Sequence, residues 1–345
     1  MPRHLRLQFA GAIYHVTIRG NARQSIFADD HDRERFLERL ADSVETYRVR
    51  LYLFCLMTNH VHMVLETPSG NLSRFMQSLE TGYTVYYNLR HRTAGHVLQG
   101  RYGAKVVDGD KYFAKLSRYV HLNPVHVGGV EKKPFRDKVG YLRRYVWSSY
   151  PGYIGVSKKL DYVEYGPVLA HTGVKKSRRQ REYRRFVEEG LAETDADFLA
   201  AMTESRRSIG GEDFRRWVDE VYYELAEKKG HCEDIELRRE TVWLAPDEIL
   251  KVTGKRLGVP VEAFRIRRRE GLSRPTAGMM LMKYGGMTQR EAAKKLGIVS
   301  GGLVGRSVRR LKALAAEDRK VAKLLKAIEE DLSQELPVLA GVERA

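Results

Sequence analysis

Apolar and polar residues alternate with two different periods along the first 110 positions of the chain. Tyr14, Val16 and Ile18 occupy every second position, which predicts a strand, because successive strand side chains point to opposite faces. Elsewhere apolar residues recur every three or four positions, as on one face of a helix. These periods predict six elements: a strand at 11–21, a helix at 30–47, strands at 48–57 and 60–67, a helix at 72–92 and a strand at 101–107.

The order of these six elements, strand–helix–strand–strand–helix–strand, is typical of ferredoxin-like folds. Thr58 and Asn59 form a short connection between the second and third strands, so we expect those two strands to pair as a hairpin. The pattern therefore predicts an α+β fold, with an antiparallel sheet and helices packed on it.

A further helix follows the sixth element, between a predicted N-cap at Asp110 and a stop at Pro124. Aspartate is a preferred N-cap, and the residue before a proline avoids the helical region. Tyr119 and Asn123 lie four positions apart in this helix and therefore share one face, beside its apolar stripe. A tyrosine in such a position is ordinarily a packing residue, so it becomes a candidate only in combination with other features.

His60 and His62 stand two positions apart in the third predicted strand, so both side chains point to the same face. Two adjacent imidazoles can hold one divalent cation and leave coordination positions open for a substrate oxygen. Val61, Met63 and Leu65 would point the other way, into a core. A His-x-His pair in a strand is more often two unrelated histidines, so the spacing alone does not establish a metal site.

The charge of the chain narrows the class of partner. Its 345 residues suggest two or three domains of roughly 100–200 residues, and they carry a formal net charge of +17. Such an excess favours nucleic acid or an anionic membrane surface. No apolar run reaches the roughly 18 residues that span a bilayer, and the N-terminus lacks the apolar segment of a secretion signal, so we expect nucleic acid and no membrane. Cys55 and Cys232 are far apart, which fits a reducing cytoplasm and indicates no disulfide framework or cysteine zinc site.

The composition changes in the middle of the chain, and residues 156–243 are predicted to form a basic helical linker region. Lysines and arginines crowd residues 175–185. Such a run is usually a solvated face, but in a protein of this charge it could follow a DNA backbone. A short helix is expected at 183–189, and residues 210–214 are expected to open another helix that runs to about 226.

From residue 244 to 335 the pattern is all helical. Thr288 and Glu291 have the spacing of a capping box, and Gly297 is placed as the glycine of a turn between two helices. The second of these helices, 301–315, carries arginines along its length. We therefore predict a helix-turn-helix domain; the alternative is a helical bundle with a basic outer face.

Four signatures in the first half arrive in one order: Thr58-Asn59-His60-Val61-His62, Gln99-Gly100-Arg101-Tyr102, Tyr119-Val120-His121-Leu122-Asn123-Pro124-Val125 and Trp147-Ser148-Ser149-Tyr150. Together they resemble the REP-associated tyrosine transposases, domesticated relatives of the single-tyrosine HUH transposases, over residues 1–155. Two positions depart from the family pattern. Gly103 and His126 stand where basic residues are common, which could weaken a phosphate contact.

The resemblance implies a metal-dependent nuclease and strand transferase that nicks and joins single-stranded DNA beside a hairpin. Tyr119 would be the nucleophile and form a 5′-phosphotyrosine, with Tyr112 as the fallback. His60, His62 and Asn123 would hold Mg²⁺ or Mn²⁺. Candidate contacts to the single strand are Arg19, Tyr86, Tyr87, Arg90, Arg92 and Arg101.

The C-terminal segment resembles the DNA-binding domain of the replication initiator DnaA, itself similar to the Trp repressor. Residues 300–303, Ser-Gly-Gly-Leu, depart from that family's signature at the start of the recognition helix. The resemblance therefore implies duplex binding as a mode, without a target sequence. Candidate contacts are Gln289, Ser300, Arg306, Arg309 and Arg310.

Two other functions remain open at this point. The chain could be a non-catalytic DNA-binding regulator that retains the HUH fold as a hairpin-binding platform. It could also be a replication-initiator or relaxase-type HUH nuclease, although the Asn-Pro-Val signature and the lack of a helicase-like segment argue against this. A cytoplasmic, nucleoid-associated protein is expected, as a monomer or a homodimer.

Overall fold

The computed structural model describes residues 6–192, 195–229, 235–236, 243–266 and 271–335. The chain divides into two units, Met1–Arg239 and Glu240–Ala345. Each unit has its own hydrophobic core.

A five-stranded sheet organises the first unit. The strands of this unit are β1 Leu7–Gln8, β2 Ala12–Arg19, β3 Arg50–Leu56, β4 His60–Thr67, β5 Gly103–Val107, β6 Ser208–Ile209 and β7 Ile235–Glu236. The sheet has the order β3-β4-β2-β5-β6, whereas β1 and β7 form a separate parallel pair. The β3–β4, β4–β2 and β2–β5 pairs are antiparallel, which confirms the predicted ferredoxin-like arrangement. Strand β6 adds a parallel edge that the sequence did not predict.

The helices of the first unit are α1 Asp30–Tyr47, α2 Leu72–His91, α3 Phe113–Leu122, α4 Phe135–Arg143, α5 Tyr150–Tyr153, α6 Tyr165–Ala170, α7 Arg179–Glu189, α8 Ala196–Glu204 and α9 Glu212–Lys229. Helix α1 begins as predicted, because the Asp29 side chain accepts a hydrogen bond from the Asp32 N–H at 3.1 Å. Helices α1 and α2 pack against each other, and α3 packs on β3 and β4.

Successive side chains of β4 point alternately into the hydrophobic core and towards the face of the sheet that carries the two histidines. Val61, Met63 and Leu65 are completely buried, as predicted. His60 and His62 occupy the alternate positions and face the α3 side of the sheet, where the ring of Tyr119 meets that of His62.

A buried polar network holds α3 against the sheet. The Ser149 hydroxyl lies 3.1 Å from the Phe54 N–H of β3 and 3.0 Å from His121 Nε2 of α3. The other ring nitrogen of His121, Nδ1, lies 2.8 Å from the Tyr183 hydroxyl of α7. Both ring nitrogens of His121 therefore have partners, as a buried imidazole requires.

The start of α3 differs from the sequence prediction, which placed an N-cap at Asp110. The cap position is Tyr112, and the turn before it bonds to Asp108 instead. The Asp108 carbonyl accepts the Tyr112 N–H at 3.0 Å, and its carboxylate accepts the Lys111 N–H at 3.4 Å. The helix therefore begins two positions later than an Asp110 cap would place it.

The region predicted as a linker, 156–243, differs as well. Tyr183, Val187, Phe198 and Val218 are all buried in the core of the first unit. These apolar residues are widely separated among lysines and arginines, so the basic composition of the segment concealed the apolar faces of helices α7, α8 and α9. The part of the predicted linker at 230–234 and 237–242 lies outside the described residues.

The second unit contains α10 Pro246–Leu257, α11 Ser273–Tyr284, α12 Gln289–Lys295, α13 Gly301–Glu317 and α14 Arg319–Gln334. The capping box at the start of α12 is present, with the Thr288 side chain accepting from the Glu291 N–H at 3.2 Å and the Glu291 carboxylate accepting from the Thr288 N–H at 2.7 Å. Gly297 adopts a φ of +62°, the left-handed conformation that turns the chain from α12 to α13. Across the described ranges of both units, no helix is long and apolar enough to cross a membrane.

The capping box yields a stability prediction. Replacing Thr288 with Ala should lower the unfolding free energy of the second unit by about 1 kcal/mol, because one N-terminal N–H of α12 loses its acceptor. Ser300→Ala is the matched control, since within the described residues Ser300 occupies the N-cap of α13 without a side-chain cap bond. Urea unfolding of the full chain measures both. Equal effects of the two substitutions would contradict the assignment.

The network around His121 yields a pH prediction. Burial lowers the pKa of His121 to about 3, below the value near 6.5 of an unfolded chain. Between these values the unfolded state binds more protons, so stability falls as the pH drops from 6.5 towards 3, by up to about 1.4 kcal/mol per pH unit for one histidine. Urea unfolding at pH 7, 6 and 5 should show a shallower decline in His121→Gln. His31→Gln, at an exposed position, should keep the parental decline.

Candidate active site

A cavity of about 690 Å³ opens in the first unit beside β2, β4 and α3. Its walls also include part of the segment between α2 and β5, and residues around the start of α8. The lining includes six residues that the sequence had singled out, namely Arg19, His60, His62, Arg101, Tyr119 and Asn123. Their meeting in one cavity is the main geometric result.

The two strand histidines lie edge to face, with ring centroids 4.9 Å apart. His60 is half-buried, and its Nδ1 lies 2.7 Å from the Asn59 side-chain oxygen. His62 is buried, and its Nδ1 lies 3.0 Å from His15 Nε2. In each ring the nitrogen without such a contact is Nε2.

Both imidazoles are held in the neutral form. Burial lowers the pKa of His60, and the nearby positive charge of Arg19 lowers it further. Burial likewise lowers the pKa of His62 well below its usual value, with smaller effects from His15, His60 and Arg19. A neutral imidazole has a lone pair, so these two rings are in the state that can bind a cation.

Tyr119 lies on α3 with its ring perpendicular to that of His62, at a centroid distance of 5.9 Å. Phe198 of α8 contacts the ring at the same centroid distance. Burial raises the pKa of the Tyr119 phenol. The protein alone therefore keeps this hydroxyl protonated, and ionisation has to be assisted by something that enters the site.

Asn123 begins a 3₁₀ turn directly after α3. Its side-chain N–H donates to the Tyr119 carbonyl at 2.9 Å and lies 3.4 Å from the Val120 carbonyl. These contacts orient the amide, so that its oxygen is the atom turned away from the helix carbonyls. The amide oxygen is thus the donor atom that Asn123 can offer to the cavity.

Two imidazole nitrogens and one amide oxygen suit a divalent cation that retains open positions for other ligands. Among the described residues no group of three or more His, Cys, Asp or Glu side chains is arranged to hold a metal ion. A cation here would therefore depend on His60, His62 and Asn123, with its remaining positions filled by water or substrate oxygen.

A cluster of charges on α3 was missed by the sequence analysis. Lys115 and Arg118 line the cavity, and both contact the Asp195 carboxylate, at 3.2 Å and 2.8 Å. Burial raises the pKa of Asp195, but hydrogen bonds from the Phe198 N–H and from Lys115 together with nearby positive charge bring it below its usual value. The spacing of Lys115 and Arg118 from Tyr119 was the available signal, since residues three or four apart on a helix are neighbours.

His15 was also missed. It lies on β2, where Thr17 pairs with His62, so His15 is the diagonal neighbour of His62 across the two strands. Its position among alternating apolar residues at 14, 16 and 18 already placed it on the opposite face, although without the strand register it could not be matched to His62.

The residues predicted for the far end of α2 lie elsewhere. Arg90 forms ion pairs with Asp29 at 2.6 Å and with the buried Asp32 at 2.5 Å. Tyr87 packs on His91 with ring centroids 4.3 Å apart. The cavity lining includes none of Tyr86, Tyr87, Arg90 and Arg92. Arg90 is held away from the cavity because the buried carboxylate of Asp32 requires a positively charged partner.

Tyr112, the fallback nucleophile, packs towards Phe198 with ring centroids 6.4 Å apart and is not among the residues that line the cavity. Gly103, one of the two departures from the family pattern, does line it. A Cβ at Gly103 would lie 2.6 Å from the Thr17 hydroxyl, so a larger residue there would require the Thr17 side chain to move. His126, the other departure, also lines the cavity.

In the second unit, Ser300, Arg306, Arg309 and Arg310 are exposed along α13. Gln289 is exposed as well, but its side chain lies against Gly305, where a Cβ would come within 2.8 Å of the Gln289 amide oxygen. At Gly301, in the unusual Ser-Gly-Gly-Leu entry region, a Cβ would come within 3.0 Å of the Arg290 nitrogen, so Gly301 and Gly305 allow α12 and α13 to approach closely.

Residues 8–123 match the family described as "Transposase IS200 like", over about a third of the chain. No curated protein matches the chain. One matching solved structure, of a REP-associated tyrosine transposase bound to a REP hairpin, is 12% identical with a TM-score of 0.38 and covers 48% of this chain and 96% of its own. Residues 8–123, which hold the two histidines, Tyr119 and Asn123, are thus similar to the IS200-like transposases.

Proposed function

We propose that this protein nicks and joins single-stranded DNA beside hairpins, through a covalent link between Tyr119 and a 5′-phosphate. The match of residues 8–123 to the IS200-like transposases supports a transposition-type activity on DNA. The observation that carries the finer proposal is that Tyr119, His60, His62 and Asn123 line one cavity.

In the proposed cleavage the Tyr119 oxygen attacks phosphorus and forms a new P–O bond. The bond to the 3′-oxygen breaks in the same step, and that oxygen leaves as a 3′-hydroxyl by taking up a proton while the phenol releases its own to water. The reverse attack by a 3′-hydroxyl rejoins a strand. The bond energy is retained in the phosphotyrosine, so joining requires no nucleotide cofactor.

His60, His62 and Asn123 are proposed to hold Mg²⁺ or Mn²⁺ at the scissile phosphate. When bound, such an ion supplies Lewis-acid polarisation of the phosphate and a positive field that favours the ionised phenol. The neutral imidazoles and the orientation of the Asn123 amide support this assignment. The raised pKa of Tyr119 is consistent with it, because the phenol stays inactive until DNA and cation are both in place.

Four cations line the cavity and are proposed to contact the DNA backbone: Arg19, Arg101, Lys115 and Arg118. In the free protein the Asp195 carboxylate pairs with both of the last two, Lys115 and Arg118, and offsets one of their two positive charges. An incoming phosphate would take the place of this carboxylate, since both are anionic oxygen acceptors. Tyr86, Tyr87, Arg90 and Arg92 remain proposed contacts to DNA away from the cleavage site.

The C-terminal unit is proposed to bind duplex DNA as a helix-turn-helix, with α13 as the recognition helix. The exposed Arg306, Arg309 and Arg310 support this, because arginines on one helix can reach phosphates and base edges in the major groove. This unit would hold the protein on duplex next to the single strand that the first unit processes.

A second candidate function is a non-catalytic regulator that uses the same fold to bind hairpins. The cover of Phe198 on Tyr119 and the ion pairs of Asp195 favour it, since both restrict the site in the free protein. The two functions differ in one observable, the covalent adduct with DNA.

Replacing Tyr119 with Phe should abolish nicking, by about 10³-fold or more, because the nucleophilic oxygen is lost while the ring packing remains. The substrate is a pool of labelled hairpin oligonucleotides with randomised single-stranded flanks, incubated with Mn²⁺ and analysed on denaturing gels for cleaved strands and for DNA linked to protein. Binding of the pool should change less than about twofold.

The matched control is Tyr112→Phe, which removes the other candidate phenol from a residue that does not itself line the cavity. It should cleave like the parent protein. Cleavage retained by Tyr119→Phe would refute the proposal, and binding without cleavage by the parent protein, with or without Mn²⁺, would favour the regulator.

Replacing Arg309 with Ala should weaken duplex binding and reduce the slope of log K against log salt by about 0.9, the value for one lost phosphate contact. Lys326→Ala is the matched control, because it removes one exposed positive charge from α14. Anisotropy titrations with duplex DNA at several salt concentrations measure both slopes. Identical slopes for the two variants would assign α13 no specific role.

A further inference from the structure

A third imidazole lies directly behind the two histidines of the cavity. His15 is buried on β2, and its Nε2 lies 3.0 Å from Nδ1 of His62. The two rings are nearly coplanar, with an interplanar angle of 6°, which is the geometry of an in-plane hydrogen bond between imidazoles. His15 is not among the residues that line the cavity.

The hydrogen bond has two arrangements with different consequences. If His62 donates from Nδ1, its Nε2 has a bare lone pair and can bind a cation. If His15 donates instead, the neutral His62 ring carries its proton on Nε2 and cannot bind. The tautomer of His62 therefore decides whether this ring is a ligand.

At the neighbouring ring, His60, the contacts of Asn59 determine the tautomer. The Asn59 side-chain N–H donates to the Arg23 carbonyl at 3.0 Å, so the Asn59 oxygen is the atom that faces His60 Nδ1 at 2.7 Å. An amide oxygen can only accept. His60 must therefore donate from Nδ1, which leaves its Nε2 bare.

We propose that His15 is a positioning residue that performs the same task for His62. By accepting the hydrogen bond from Nδ1, it stabilises the tautomer that offers Nε2 to a divalent cation. Without this acceptor, the Nδ1–H of a buried His62 would have lost its hydrogen-bond partner, and the ring would shift to the other tautomer. The inference rests on the proposed function, since it assumes the cation site at His60 and His62.

In this proposal each histidine ligand has a hydrogen-bond partner behind it, on a different element. The Asn59 amide of a loop serves His60, and the His15 imidazole of β2 serves His62. Such partners fix ring orientation and tautomer, and their loss typically weakens metal binding by 10–100-fold. His15 itself is no ligand, because its Nε2 is engaged by His62 and its ring is buried.

The first experiment is a calorimetric titration of the full chain with Mn²⁺. His15→Leu should bind 10–100-fold more weakly than the parent protein. His15→Gln, whose amide oxygen can accept near the original Nε2 position, should recover most of the affinity. The matched control is His171→Leu, which makes the same replacement at an exposed histidine that packs on Phe113 outside the cavity.

The second experiment reads the tautomer directly and needs no metal. Nitrogen-15 NMR of the histidine side chains should show His62 protonated at Nδ1 in the parent protein and in His15→Gln, and at Nε2 in His15→Leu. The His62 signals are identified by their loss in His62→Gln. This measurement on the parent protein tests the proposal even if His15→Leu fails to fold.

The outcomes distinguish the role of His15 from the existence of the cation site. Parental Mn²⁺ affinity in His15→Leu, together with weakened binding in His62→Ala, would overturn the role of His15 and leave the cation site in place. An Nε2-protonated His62 in the parent protein would also overturn it. Parental affinity in His62→Ala would overturn the cation site itself, and the role of His15 with it.

Discussion

The structure of the site depends on how α3 is held against one face of the sheet. Ser149, His121 and Tyr183 form a buried chain of hydrogen bonds that ties β3, α3 and α7 together. Such networks are rigid when every member has a partner. Because the network fixes α3, it also fixes where Tyr119 meets the histidines of β4. The Trp-Ser-Ser-Tyr signature, which carries no group for the chemistry, therefore supports the site from behind.

Most of the fold could be predicted from the sequence, because the patterns that identify its strands and helices lie within short stretches of the chain. The alternation of Val61, Met63 and Leu65 with the histidines identifies β4 and its two faces without any knowledge of its neighbours. The same is true of the capping box at Thr288. The parts that escaped prediction depend on long-range pairing: β6 reaches β5 only through a connection of about a hundred residues, and Tyr183 reaches His121 across a segment that reads as basic and solvated. The Asp110 cap failed for a related reason, since Asp108 competes for the same turn.

The candidate site shows the same division. The resemblance carried by the four signatures pointed to His60, His62, Tyr119 and Asn123, and all four line one cavity. Two further residues of the site region, His15 and Asp195, could not be identified from the sequence. His15 needs the β2–β4 register to be matched with His62, and Asp195 needs the packing of α8 to be matched with Lys115 and Arg118. The ion pair of Arg90 with the buried Asp32 could likewise not be foreseen from the sequence.

In the free protein the phenol of Tyr119 is protonated, and Lys115 and Arg118 are paired with Asp195, whereas His60 and His62 are already in the neutral form that binds a cation. The proposed attack by Tyr119 therefore requires a cation that favours the ionised phenol and DNA that displaces Asp195. The most direct test is mass spectrometry of tryptic peptides after reaction with a hairpin substrate whose cleaved strand cannot rejoin. The account predicts a nucleotide-linked peptide spanning 119–132. Attachment to the peptide at 112–115, or no attachment while strands are cut, would contradict it.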